Sequence, residues 1–288
     1  MKKLTIKILS LIMALILVLP FVFACTDDDD STDNDNTPKE PQKEKTFEEM
    51  TEKEKAFHIL TIEQKDENIR REMELIAHFF YYDFEVDATV TLAEIERGIG
   101  TSNYIHHVGT EMIMDMGFTY SSNTQASGYR DGKMYETVSE DNLTQYRNWA
   151  SISQEDYIDY KESQDDSVDD DFNIKEGNCQ TVTCTKDTDG NWVATFTGLS
   201  GSALDEFKEM ADAFGGMIDS SALVDAVITL KVSSELKPLS ASIEFVFTGE
   251  NAPSLVCNMS FKYGDEVTVP DINFDDYTQV DDLRAPQE

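Results

Sequence analysis

The residues whose chemistry the sequence advertises most openly are a methionine triplet, a histidine pair, four cysteines and a great many carboxylates. Met112, Met114 and Met116 recur at a spacing of two, which on a strand lines up three soft thioethers able to hold Cu(I). On an apolar face that spacing is better read as core, or as a pliable ligand wall, because methionine fills irregular apolar space. His106 and His107 are adjacent and point to opposite faces of a regular strand, so they cannot share a metal. With only His58 and His78 besides, zinc has little support. Asp187, Asp189 and Asn191 resemble a fragment of a calcium loop, but Gly190 comes too early and no downstream Glu has the spacing; a hairpin turn explains them better. Neither a Gly-x-Ser-x-Gly elbow, a Cys beside a His in a known motif, nor a glycine-rich phosphate loop occurs. Carboxylates are too abundant for any pair to stand out. The expectation is a non-enzymatic protein with no metal and no cofactor.

The cysteines divide by position. Lys2, Lys3 and Lys7, an uncharged apolar run from Ile8 to Phe23, and Ala24 before Cys25 have the layout of a secretory leader; an uncleaved anchor is the alternative. Val22-Phe23-Ala24-Cys25 resembles the lipobox of bacterial lipoproteins, in which the cysteine is acylated and becomes the new N-terminus; Phe23 is larger than that pattern usually has. The resemblance makes residues 1–24 a signal peptide and Cys25 the lipidation site. It implies an exported chain, anchored to the membrane by its N-terminal lipid, on the outer face of the cytoplasmic membrane or, as the acidic stretch after the cysteine also allows, on the outer-membrane surface. Cys179, Cys184 and Cys257 remain. Cys179 and Cys184 face opposite ways on one strand; a bridge from either to Cys257 is open, and small buried apolar residues are the simpler reading.

Loss of the leader removes Lys2, Lys3 and Lys7 and no acid, moving the formal charge from −34 to −37. Such a surface repels phosphate backbones and anionic headgroups, which argues against nucleic acid and restricts any ligand to apolar, neutral or cationic contact. Residues 25–45 hold Asp27 to Asp30, Asp33, Asp35, Pro38 and Pro41 with nothing apolar to bury. They read as a disordered acidic tether, which over about 20 residues reaches roughly 25 Å.

The elements that could position a site begin near Thr46, where Thr46-Phe47-Glu48-Glu49 reads as a capping box. Ile69, Met73, Ile76 and Phe80 form a stripe at spacings of four, three and four, which predicts a second helix seeking a sheet to pack on. From Phe84 the period becomes two: Val86, Ala88, Val90 and Leu92 alternate with polar residues, followed by Val108, Met112, Met114 and Met116. Ala226, Ile228, Leu230 and Val232, then Ile243, Phe245 and Phe247, then Leu255, Cys257, Met259 and Phe261 repeat the pattern. One wet and one apolar face belong to antiparallel strands. Asp131-Gly132 and Asp189-Gly190 mark hairpin turns. Residues 142–163 read as mixed or helical, 165–171 as an acidic loop, and a further helix from Ser202 carries Leu204, Phe207, Met210 and Phe214 before Gly215-Gly216. The expected class is α+β, in a single domain over residues 46–280.

This order resembles the LolA-type and LprG-type lipoprotein folds over about residues 65 to 275. The blocks that carry it are Phe80 to Leu92, Tyr129 to Tyr135, Asn191 to Phe196, Asp225 to Val232, Lys237 to Phe247 and Phe261 to Pro270. The resemblance implies a strongly curved antiparallel sheet, an open half-barrel, with helices on its concave face and an acyl chain held between them. The residues facing such a ligand would be Val86, Val90, Leu92, Met112, Met114, Met116, Ile228, Leu230, Val232, Ile243, Phe245, Phe247, Met259 and Phe261. The function it implies is a carrier or chaperone for a lipid or a lipoprotein acyl chain. The alternative is an envelope structural or interaction module with the same face filled. Alternation alone does not separate a cavity from a packed core.

Overall fold

Twelve strands form one sheet in a computed structural model that describes residues 45–62, 68–117, 119–141, 143–165, 174–212 and 218–284. They are β1 (Asn68–Tyr81), β2 (Phe84–Arg97), β3 (Ile105–Asp115), β4 (Tyr120–Arg130), β5 (Lys133–Glu140), β6 (Leu143–Ser151), β7 (Cys179–Lys186), β8 (Trp192–Leu199), β9 (Leu223–Val232), β10 (Pro238–Phe247), β11 (Ser254–Tyr263) and β12 (Thr278–Gln279). Their spatial order is β12-β6-β5-β4-β3-β2-β1-β11-β10-β9-β8-β7, antiparallel at every step except where β12 runs parallel to β6. Helices α1 (Glu52–Leu60), α2 (Gln154–Asp165) and α3 (Ser202–Asp212) complete the described elements. The class is α+β, a large open antiparallel sheet with three helices. The leader, Cys25, the tether up to residue 44, most of the acidic loop 165–171, Phe214 and the Gly215-Gly216 stop lie outside the described residues.

The stripe read as a second helix is strand β1, and this is the main correction to the sequence reading. Met73, Leu75, Ala77 and Phe79 point into the core, whereas Ile76 and Phe80 are 43% and 41% exposed. Apolar residues occupy both alternation registers here, so the helical spacing was met by coincidence. What decides the matter is non-local: β1 pairs along almost its whole length with β11 on one side and β2 on the other. A strand hydrogen-bonded on both edges overrides local propensity. Residues 142–163, read as mixed or helical, divide into β6 and α2.

The local signals at the ends of elements behave as their chemistry dictates. Thr46 and Glu49 do bond to each other, but over a single 3-10 turn. The helix proper is capped five residues on, where Thr51 accepts from Glu54 N at 3.2 Å and Glu54 accepts from Thr51 N at 2.7 Å. The β4–β5 hairpin closes on Asp131 and Gly132, both at positive φ (53° and 76°), as a two-residue turn requires. Between β7 and β8 the Asp187 carboxylate accepts from Asp189 N, Asn191 N and Lys231 Nζ. Those bonds, Lys231 foremost, hold it well below the usual carboxylate range, and they already use the oxygens a calcium ion would need.

Helix α1 buries Ala56, Ile59 and Leu60 and packs on β7, β8 and β9; its Phe57 ring meets Phe196 edge-on at 5.4 Å. Helix α3 buries Ala203, Phe207 and Ala211, one helical stripe, and Phe207 meets Phe245 at 5.7 Å. Both cover the same face of the sheet, so the core is the space between that face and these two helices.

Candidate functional site

The predicted ligand-facing residues fall into cross-strand rows on that face. One row runs Met112, Val90, Leu75, Cys257, Ile243, Ile228, Phe196 across seven strands. A second runs Leu92, Met73, Met259, Ala241, Leu230, Ala194, and a third joins Met114, Ala88, Ala77, Leu255, Phe245 and Ala226. All fourteen residues belong to one apolar cluster: Val86, Val90, Leu92, Met112, Ile228, Leu230, Val232, Ile243, Phe245, Met259 and Phe261 are buried, and Met114, Met116 and Phe247 are half-buried against it. Sequence reasoning missed Met73, Leu75, Ala77 and Phe79, assigned to a helix, although their own period of two was present. Leu230 and Val232 are 0% exposed and Ile228 is 1% exposed. These centres present almost no accessible surface and belong to one apolar cluster.

Cys257 lies in the middle row, and burial pushes its thiol up to about 12. Cys179 and Cys184 sit on the edge strand β7, and none of the three is bridged. Thiols raised in this way are inert apolar packing.

Across β3 to β6 the same face turns polar. His106 lies between Tyr157, whose hydroxyl is 2.6 Å from Nδ1, and Glu94, whose Oε1 is 3.1 Å from Nε2. Arg71 Nη1 donates to the other Glu94 oxygen at 2.9 Å. Alongside, Glu96 accepts from Lys161 Nζ and Tyr104 OH, both at 2.8 Å. Burial alone would raise the Glu94 carboxyl, but the hydrogen bond from His106 and the nearby charges of Arg71, His106 and Lys161 outweigh it and hold the group well below the usual range. Hydroxyl, imidazole and carboxylate in line have the order of a hydrolytic triad, yet Tyr157 is buried and burial pushes its phenol upward, the opposite of an activated nucleophile. The cluster instead fastens α2, through Tyr157 and Lys161, to β2 and β3.

His107 faces the other way, and its Nδ1 is 2.6 Å from the Tyr135 hydroxyl. Burial, with smaller contributions from the charges of His106 and Arg70, lowers it from 6.5 to about 4. A base whose folded pKa is depressed is protonated more readily when unfolded. Stability is therefore full above pH ~6.5 and is lost progressively as pH falls toward ~4, by about 3 kcal/mol at the limit for a shift of this size. His107→Gln should flatten that part of the profile, measured by urea unfolding between pH 7 and 4; an unchanged slope would show that another group carries it.

On this outer face β11, β1, β2, β3 and β4 form an open groove of about 610 Å³, bordered by Glu72, Thr91, Ala93, Gly109, Glu111 and Asn258 among others. Of the fourteen predicted residues only Leu92 and Met259 reach it, from positions whose neighbours across the strands all face the core. Its lining mixes hydroxyls, amides and carboxylates with apolar surface from Met73, Leu92, Ala93 and Met259. The C-terminal segment crosses the same face: Thr268 O accepts from Arg70, Pro270 O from Arg130, and Tyr277 OH is bonded to Thr137 Oγ1 at 2.9 Å. It ends as β12 beside β6, with Leu283 packed against Tyr104, Tyr129 and Tyr157.

Among the described residues no three His, Cys, Asp or Glu side chains are grouped so as to hold a metal ion, and no helix is long and apolar enough to cross a membrane. No protein family matches the chain, and no curated protein matches it. Among solved structures it is similar to a beta-barrel-like protein of Domain of Unknown Function DUF1849 from Brucella abortus, at 9% identity over 69% of this chain and 97% of that one, with a TM-score of 0.22.

Proposed function

We propose that this chain is an exported, lipid-tethered, non-enzymatic interaction module of the cell envelope, and that its apolar sheet face is a filled core. The observation that carries the reading is the burial at the centre of the sheet face, where Ala194, Phe196 and Leu230 of the rows and Phe207 of α3 are all 0% exposed. The upward-shifted tyrosines and thiols support the non-enzymatic part, since activation would move them down. The tether rests on the leader layout and Cys25.

A second reading, an acyl chain carried between sheet and helices, is favoured by one observation. Met114, Met116 and Phe247 are only half-buried at the margin of the cluster, and methionine adapts readily to a ligand. Two preparations test both. Cys25→Ala should abolish incorporation of labelled lipid into the precursor, and the chain from Thr26 onward, free of the leader, should carry far less than one lipid per chain by mass spectrometry. Labelling equal to the parent would overturn the tether. One non-covalent acyl chain per protein would overturn the filled core in favour of the carrier.

A further inference from the structure

We propose that the end of the sheet formed by the β1–β2, β3–β4 and β5–β6 turns is a docking surface for a basic, apolar segment of a partner protein; the proposal rests on the interaction-module reading. Three successive antiparallel hairpins bring these turns to one end, separated by two strand spacings, roughly 10 Å each. There the chain exposes what folding normally hides: Tyr82 is 82% exposed, Leu143 70% and Tyr120 59%, with Phe84 at 47% and Phe80 at 41%. Exposed aromatics gathered at one place are characteristic of interface cores, where ring area is gained at little entropic cost.

Tyr82 supplies an independent sign. It sits at φ 56°, in the left-handed region, at the tip of the β1–β2 hairpin. Among the described residues the other non-glycine residues at positive φ are Asp131, Asp141 and Asn251, which tolerate that conformation, and Leu236. A bulky aromatic is the poor choice for a turn that Asn or Gly would make freely. Its ring is held edge-on to Tyr81 at 4.6 Å, so it is presented in a fixed place rather than left loose. Strain retained at an exposed aromatic points to use.

Charge decides the kind of partner. Asp83, Glu85, Asp87, Asp115, Glu140 and Asp141 lie in or beside these turns, with His78 in contact with Glu85 and Asp87, and residues 80–87, 115–120 and 139–143 contain no Lys or Arg. Lys or Arg side chains on an apolar segment would meet both carboxylates and aromatic faces. An anionic lipid surface would be repelled by the same carboxylates.

The test uses the chain from Thr26 onward, free of the leader, a fluorescent amphipathic peptide of Leu and Lys, its Leu and Glu counterpart, and vesicles of phosphatidylcholine with and without phosphatidylglycerol. The Leu/Lys peptide should bind the parent, with Tyr82→Asn weakening it about five- to tenfold and Tyr120→Ser with Leu143→Ser weakening it at least as much. These changes leave net charge untouched, so diffuse attraction to an acidic protein cancels. Thermal unfolding of Tyr82→Asn should be unchanged or raised, because Asn accepts the left-handed turn; this separates lost contact from lost fold. Equal affinity for parent and variants would overturn the proposal, as would vesicle binding that depends on Tyr82. Should lipid be found in the core, the filled-core reading falls, while the Tyr82 comparison still decides this surface.

Discussion

Glu94→Ala is expected to destabilise the fold by about 3–5 kcal/mol, the range for removing one partner of a buried charge network. Arg71 and His106 both contact this carboxylate, at 2.9 and 3.1 Å, and their side chains are largely out of water. Truncation removes both contacts inside a cluster that water hardly reaches. Because Tyr157 hangs on the other His106 nitrogen, α2 should loosen as well, visible as faster amide exchange over Gln154–Asp165. The comparison is Glu72→Ala, whose pairs with Arg70 and Lys262 are half open to solvent and should be worth under about 1 kcal/mol. The folded carboxyl of Glu94 is held low, so its contribution is present above the ordinary carboxylate pKa and is lost as pH falls through the folded value. The gap between parent and variant should therefore narrow in acid. Urea unfolding at pH 7 checks the main claim, and a cost below 1 kcal/mol would mean that water enters this cluster.

How much of this was legible in the sequence depends on whether the deciding interaction was local. Strands β9, β10 and β11 could be read because a single alternation with one wet face leaves only one way to lie on a core. The β4–β5 turn was legible because Asp-Gly meets a backbone demand directly. Strand β1 was not, since Ile69, Met73, Ile76 and Phe80 satisfy a helical period while Met73, Leu75, Ala77 and Phe79 satisfy a strand period. Only pairing with β11, almost 190 residues away, selects between them. The same limit hid the role of Glu94, which stands on the core-facing register of Val86, Val90 and Leu92, where a carboxylate needs partners that the neighbouring sequence does not name. Its partners Arg71, His106, Lys161 and Tyr157 come from three other elements. His106 and His107 were correctly expected on opposite faces, but each one's tyrosine lies 28 or more residues along the chain.

Ile228→Trp addresses the core from inside. Ile228 lies between Ile243 and Phe196 in the central row, and Phe57 of α1 packs on the same Phe196. An indole there must displace neighbours whose packing is already complete, at about 1–3 kcal/mol or more. For a domain of this size that corresponds to a fall of several degrees in Tm. In a ligand cavity the indole would instead take room meant for an acyl chain, with little change in the stability of the empty protein. The decisive measurement is thermal unfolding of delipidated parent and Ile228→Trp, with bound lipid per mole determined on both before delipidation. A filled core gives a marked fall in Tm and no stoichiometric lipid in either protein. A near-unchanged Tm, together with lipid present in the parent and missing from the variant, would contradict it.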